Sequence, residues 1–210
     1  MRLFPKRLAF ELVEPKAVEY YGPGQEPSKP PQPGDFILLH SDELFARFIQ
    51  IGQRLRFHGR NRRYCHWNHA ALIVGDNSEI VEALGPRIEK GNLSKYKGKD
   101  YQLVRINADA QDRQEAARFA LWCLPQPYGY LTIASIAFTL LTGCKFSFMI
   151  DGQEICSGLV ARALERTAAI FNRDPSHVTP ADLAKFFNVT LTRRTVAEPI
   201  AVGSAWDHSG

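Results

Sequence analysis

The stretch HAALIVGDNSEIVEAL, residues 69–84, decides the fold of this chain. Two apolar runs, HAALIVG (69–75) and EIVEAL (79–84), are each typical of a β-strand. The turn residues Gly75-Asp76-Asn77-Ser78 separate them, and Gly-Asp between apolar runs indicates a hairpin. The stretch therefore predicts two antiparallel strands that pair with each other.

The length of the hairpin loop decides whether His69 and Glu82 can meet. A two-residue loop at Gly75-Asp76 would pair Val74 with Asn77 and place His69 directly opposite Glu82, with Cβ atoms about 4.5–5.5 Å apart. A four-residue loop would keep the two on one face, one diagonal apart, whereas a three-residue loop would separate them. Because loops of two and four residues both keep His69 and Glu82 on one face, we expect the two side chains to hydrogen-bond, directly or through water. Each residue alone could equally be a surface side chain at a strand end or on a half-exposed strand.

The remaining elements predict an α+β fold, with a small antiparallel sheet or barrel and helices packed on one side. DFILLH (35–40) and YQLVRIN (101–107) are further strand candidates. The predicted helices are one capped by Ser41, one over about 109–123, one over the apolar segment 130–143, one opening at Cys156, and one capped by Thr179 with Pro180 first. Residues 53–67 are predicted to form a basic loop.

The composition indicates a single globular domain. Of the 210 residues, 45% are hydrophobic and 23% charged, and the net charge of +4 is too small to predict nucleic-acid binding by itself. The stretch GPGQEPSKPPQPG is typical of an extended linker. We expect an N-terminal arm and linker over 1–33, the domain over 34–188 and a tail over 189–210.

The N-terminal sequence and the apolar segment bear on location. The stretch MRLFPKRLAFELVEPK lacks the apolar run and cleavage site of a signal peptide, so we expect a cytoplasmic protein with reduced thiols. The segment YLTIASIAFTLLTG (130–143) is shorter than the roughly 20 residues of a membrane span. We interpret it as a buried helix; a lipid-facing surface near a substrate cleft is the alternative.

Cys156 stands where a helix is predicted to begin, in QEICSGLVARALE (153–165). Free N–H groups and the positive end of the helix dipole favour a thiolate at that place. A cysteine nucleophile also needs a base and a group that orients the base, and the hairpin offers His69 and Glu82. The alternative is a buried cysteine that acts as a small apolar side chain.

Six segments, taken in order, resemble one known family. They are PGDFILLHS (33–41), WNHAALIVG (67–75), EIVEALG (79–85), QPYGYL (126–131), EICSGLV (154–160) and TPADL (179–183). This set resembles the circularly permuted, papain-like branch of the NlpC peptidase superfamily, in particular its YiiX-like group. Lecithin–retinol acyltransferase-like proteins are more distant relatives.

The resemblance implies an enzyme and assigns its site. Cys156 would be the nucleophile, His69 the base and Glu82 the third residue, with Tyr128 and Ser157 in contact with the substrate. The implied activity is that of a thiol-dependent amidase or peptidase that forms a covalent thioester, with no cofactor and no metal. An acyltransferase or lipid-directed hydrolase is the alternative, and the substrate would be a small molecule, peptide, peptidoglycan fragment or lipid.

Three alternatives compete with this interpretation: an anion-binding loop, a zinc site and a non-catalytic module. The loop Arg54–Arg63 holds five arginines and is a candidate site for an anionic ligand; binding of nucleic acid is not expected, since no recognisable module accompanies it. A zinc site could be built from His58, Cys65, His66 and His69, although their spacing fits no familiar motif. A non-catalytic binding module that keeps the fold is the third possibility.

Overall fold

The computed structural model describes residues 15–84, 87–124, 156–167, 169 and 174–190. Their centre is one antiparallel sheet of six strands in the order β1-β6-β2-β3-β4-β5, which confirms the predicted α+β class. In chain order the strands are β1 (Pro15–Tyr21), β2 (Phe36–Leu39), β3 (His69–Ile73), β4 (Glu79–Leu84), β5 (Arg87–Asn92) and β6 (Tyr101–Ile106).

Helices follow the strands in the same described ranges. The α-helices are α1 (Leu44–Arg56), α2 (Ala110–Trp122), α3 (Cys156–Leu164) and α4 (Pro180–Phe186). Short 3₁₀ helices cover Gly59–His66, Leu93–Tyr96, Glu165–Thr167 and Pro175–His177. α4 begins as predicted, because Thr179 and Asp182 form a reciprocal capping box and Pro180 occupies the first turn.

The hairpin forms with a loop of four residues, one of the two lengths that keep His69 and Glu82 on one face. Ala71 lies opposite Glu82, and the backbone N–H of Val74 donates to the carbonyl of Glu79 at 2.8 Å. A two-residue turn of the common kind needs positive φ at both loop residues. Here the left-handed conformation falls on Ser78 instead, at φ 59°. His69 and Glu82 are therefore diagonal neighbours on one face, and their predicted hydrogen bond is confirmed at 2.7 Å.

Both faces of the sheet carry a core. On the first face, sheet residues such as Leu38, Leu72 and Val81 pack with apolar side chains of α2, α3 and α4. On the second face, Ile37, Ala71 and Ile73 pack with Leu93 and Tyr96. The helices thus cover one face, as predicted, while the second face is covered by the segment after β5.

Two strands were not recognised in the sequence. β1 pairs antiparallel with β6, so residues 15–21 belong to the sheet although they fall within the range assigned to an arm and linker. β5 (RIEKGN) pairs with β4 at the other edge. Both are edge strands, where charged side chains are common and apolar alternation is weak.

The start of α1 and the basic segment also differ from expectation. α1 begins at Leu44 with Glu43 in the cap position, and no side chain caps it. Ser41 does not serve as the cap, because its backbone N–H donates to Oδ1 of Asn68 at 2.6 Å and its carbonyl accepts from Nδ2 of Asn68 at 2.8 Å. The segment predicted as a loop extends α1 to Arg56 and then forms the 3₁₀ helix Gly59–His66.

Several expectations fall outside the described residues. These are the helix over 130–143, Tyr128, and all of the predicted tail from residue 191 onward. Among the helices that the structure describes, none is long and apolar enough to cross a membrane.

A buried ion pair joins β2, β6 and α2. Gly34 has φ 87°, and a Cβ there would lie 3.1 Å from Cδ1 of Ile106, so this position requires glycine. The turn directs Asp35 inward, where Oδ1 accepts from Nη1 of Arg113 at 2.8 Å and from the N–H of Ile106 at 3.1 Å. Arg113 also donates to the carbonyls of Pro33 and Ala108. The pair therefore closes one end of the sheet against α2.

We expect Arg113→Met to destabilise the fold by about 3–5 kcal/mol, because the buried Asp35 carboxylate loses its nearest cation and keeps only Arg105, at 3.6 Å. The free energy of unfolding, measured in urea, tests this. Arg118→Met on the exposed side of the same helix is the matched control and should change stability by less than about 0.5 kcal/mol. Equal stability of the two variants would contradict the assigned role.

Candidate active site

Cys156 is the first residue of α3, and its side chain is buried. Burial alone would raise the pKa of the Cys156 thiol. The charge and hydrogen bond of His69, and the backbone N–H groups of Ala70 and Ser157, outweigh burial and lower it overall. The predicted helix start is confirmed, and these contacts favour the thiolate over the neutral thiol.

His69 is the first residue of β3, and it lies between a thiol and a carboxylate. Nε2 is 2.7 Å from Oε2 of Glu82, which leaves Nδ1 as the ring nitrogen available to the Cys156 thiol. Burial would lower the pKa of His69, but the Cys156 thiolate and the Glu82 carboxylate raise it to about 9. The imidazolium is therefore favoured where the thiolate is favoured.

Glu82 is fully buried in β4, and three donors meet at its carboxylate. Besides His69, the hydroxyl of Tyr96 donates to Oε2, and the ammonium of Lys95 contacts Oε1. Burial would raise the pKa of Glu82, but these three contacts lower it. Burial and the neighbouring Glu82 carboxylate raise the pKa of the Tyr96 hydroxyl, which therefore stays protonated and can donate.

These side chains form one chain of alternating charge. Lys95 and His69 are the cations, and Glu82 and Cys156 the anions, so each buried charge has an opposite neighbour. Pairing of this kind is what permits ionised groups to remain buried. The arrangement supplies a nucleophilic sulfur, a proton donor beside it and a carboxylate that holds the proton donor in place.

Lys95 and Tyr96 were missed by the sequence interpretation. They belong to the 3₁₀ helix that follows β5, within the stretch GNLSKYKGKD. Three lysines and an aspartate near one tyrosine are typical of a solvated loop, so the local pattern held no sign of a buried contact. The one usable signal was Asn92, whose side chain accepts from the N–H of Ser94 and begins the turn.

Ser157, predicted to contact the substrate, is directed elsewhere. Its hydroxyl is fully buried and donates to the carbonyl of Val178 at 2.7 Å, which ties the start of α3 to the residue before the α4 cap. Only its backbone N–H faces the thiol. A buried hydroxyl with a backbone acceptor anchors the helix and leaves no group for a ligand.

The residues of the alternative zinc site do not come together. His66 stacks on His40, with ring centroids 5.1 Å apart, while His69 pairs with Glu82 and His58 is exposed. Burial raises the pKa of the Cys65 thiol, which disfavours the thiolate form that zinc binds. Within the described ranges, no group of three or more His, Cys, Asp or Glu side chains could hold a metal ion.

Comparisons with known proteins give similarities to solved structures only. No family model matches the sequence, and no curated protein matches it. The chain is similar to the crystal structure of metalloprotein yiiX from Escherichia coli O157:H7, with 22% identity over 74% of this chain and 79% of that chain. The TM-score is 0.46, and a similarity at this level leaves the chemistry to be argued from the site itself.

We expect Glu82→Gln to lower the pKa of His69 from about 9 by about one unit or more, because the imidazolium loses its anionic partner. The pH range of the thiolate–imidazolium pair then shrinks from its alkaline side. Titration of the imidazole ring by NMR measures the change. Glu79→Gln, in the same strand with its carboxylate 2.6 Å from exposed Lys90, is the control and should leave that pKa unchanged.

Proposed function

We propose that this chain is a cysteine hydrolase, of amidase or peptidase type, which forms a covalent thioester on Cys156. The observation that carries the proposal is the buried series Cys156, His69 and Glu82. The pKa of the Cys156 thiol is lowered and that of the His69 imidazole is raised, and both shifts favour the thiolate–imidazolium pair. Opposed shifts in neighbouring groups are typical of an activated nucleophile.

The proposed reaction begins with attack by the Cys156 sulfur on a carbonyl carbon. A C–S bond forms while the carbonyl π electrons move to oxygen, and backbone N–H groups at the start of α3 hold the oxyanion, with Tyr128 as a further proposed donor. As the oxyanion collapses, the bond to the leaving amine or alcohol breaks, and His69 donates its proton to that group.

Water completes the cycle. His69, now neutral, takes a proton from the attacking water, and hydroxide adds to the thioester carbonyl. The C–S bond then breaks, the carboxylic acid leaves and Cys156 returns as thiolate beside imidazolium. Glu82 accepts no proton in this scheme; its buried carboxylate holds the imidazole ring and stabilises its charge.

The order of the three residues supports placement in the permuted papain-like group that the sequence resembles. His69 and Glu82 precede Cys156, the reverse of the ordinary papain-like order. Peptides, peptidoglycan fragments, small amides and acyl lipids all present the carbonyl that this scheme requires. Transfer to an acceptor other than water uses the same first step, so an acyltransferase differs only in what attacks the thioester.

We expect a slow ester or amide substrate to add its acyl mass to the wild-type chain and nothing to Cys156→Ala. His69→Ala should acquire the acyl mass about 10²-fold more slowly or worse. Glu82→Gln should reduce turnover less than Cys156→Ala does. Intact mass spectrometry after acid quench measures the adduct. Full turnover by Cys156→Ala on a confirmed substrate would refute the mechanism.

The thiolate also predicts which cysteine reacts first with limiting iodoacetamide. Cys156 should be alkylated before Cys65, because burial raises the pKa of the Cys65 thiol. The preference should persist at pH 6–7. Peptide mapping by mass spectrometry reports the site. Cys123→Ala serves as a control that removes a buried thiol without changing the Cys156 rate. Faster labelling of Cys65 or Cys144 in unoxidised protein would count against the proposal.

A further inference from the structure

α1 exposes an apolar stripe. Leu44, Phe48, Ile51 and Leu55 are 68%, 51%, 49% and 50% exposed. They account for four of the six large apolar side chains that are exposed in the described part of the chain. Their spacing of four, three and four residues places them within roughly 60° of the helix circumference.

The inward face of α1 combines buried Ala46 with a fully buried polar side chain. Its inward face carries Gln53, which is fully buried, donates to the carbonyl of Trp67 at 2.8 Å and accepts from the N–H of Ala181 at 2.8 Å. Surface helices normally turn their apolar stripe to the core. Here a buried amide attaches the helix, and the apolar stripe faces outward.

The stripe belongs to a segment rich in arginine, which the exposed acidic residues Asp42 and Glu43 precede. α1 and the 3₁₀ helix Gly59–His66 contain six arginines and no acidic residue. Arg56 pairs with Asp182, and Arg47 lies 4.0 Å from Asp42. The other exposed guanidinium groups near the stripe are those of Arg54, Arg60, Arg62 and Arg63. None of these four forms an ion pair with another described residue.

We propose that this surface, α1 together with Gly59–His66, binds the face of an anionic phospholipid bilayer. The stripe would enter the boundary between headgroups and acyl chains, and the arginines would contact lipid phosphates. A helix of 13 residues is about 20 Å long and lies in the plane of such an interface.

The charge pattern favours a bilayer over two other occupants. A second copy of this chain would bring one set of arginines against the other, and like charges oppose such an interface. A nucleic acid would neutralise the arginines but leave the four apolar side chains in water. An anionic bilayer satisfies both features at once.

The surface begins beside the candidate active site. Ser41, three residues before α1, exchanges two hydrogen bonds with Asn68, and Asn68 directly precedes His69. Binding would therefore hold the site close to the bilayer. The surface itself contains none of the proposed catalytic groups, so Cys156→Ala should bind vesicles as the wild type does.

Cosedimentation of the full chain with vesicles tests the proposal. We expect strong binding to phosphatidylcholine vesicles containing about 30% phosphatidylglycerol, weak binding to phosphatidylcholine alone, and weaker binding as salt rises. Phe48→Ser with Ile51→Ser should reduce binding by about tenfold or more. Trp122→Ser, which removes an apolar side chain that is 71% exposed on α2, should have no effect.

A second pair of variants tests the contribution of the arginines to vesicle binding. Arg60→Glu with Arg62→Glu should remove the preference for anionic vesicles, whereas Arg118→Glu, an exposed arginine of α2, should not. Absence of wild-type binding, equal binding to both vesicle types, or unchanged binding by the stripe variant would each overturn the proposal.

Three further outcomes would assign the surface to another occupant and overturn the proposal. A marked fall in melting temperature of the stripe variant would show that another part of the chain covers it. A dimer that only the stripe variant dissociates, seen by light scattering, would assign the surface to self-association. Binding of single-stranded RNA that depends on Arg60 and Arg62 but not on Phe48, without vesicle binding, would assign it to nucleic acid.

Discussion

The contact between Glu82 and His69 is the interaction on which the candidate site depends. A carboxylate with no exposure to water is costly unless it is paired, and Glu82 is paired with His69, Lys95 and Tyr96. Because Glu82 is ionised, His69 can hold a proton in a buried place. Because His69 is protonated, the Cys156 sulfur can be a thiolate despite burial. Each charge in the series makes the next one possible.

The scaffold fixes that series with backbone elements. His69 and Glu82 are held by the β3–β4 hairpin, whose turn is fastened when the N–H of Leu93 donates to the carbonyl of Ser78. Leu93 begins the short helix that presents Lys95 and Tyr96, so the same turn positions both sides of the carboxylate. Cys156 belongs to α3, which packs in the core on the other face of the sheet and is anchored through Ser157. Three local structures thus meet at one end of β3.

The sequence predicted those parts that periodicity and capping control. The alternating apolar runs of β3 and β4, the start of α3 at Cys156 and the Thr179 cap follow from local chemistry, and all three are confirmed. The sequence left the loop length open between two and four residues, because the left-handed residue is Ser78, which has no marked preference for that conformation. Lys95, Tyr96 and the two edge strands escaped prediction because their roles arise from tertiary pairing, which leaves no periodic trace in polar sequence.

The order of the site residues along the chain has a consequence for biosynthesis. A chain leaves the ribosome from its N-terminus, and local contacts form before distant ones. The imidazole and its carboxylate belong to one hairpin, so they are available to pair early. The sulfur enters much later, when α3 is made and packs against β3. The nascent protein consequently carries an acid–base pair without a nucleophile, and assembly of the thiolate waits for the final helices.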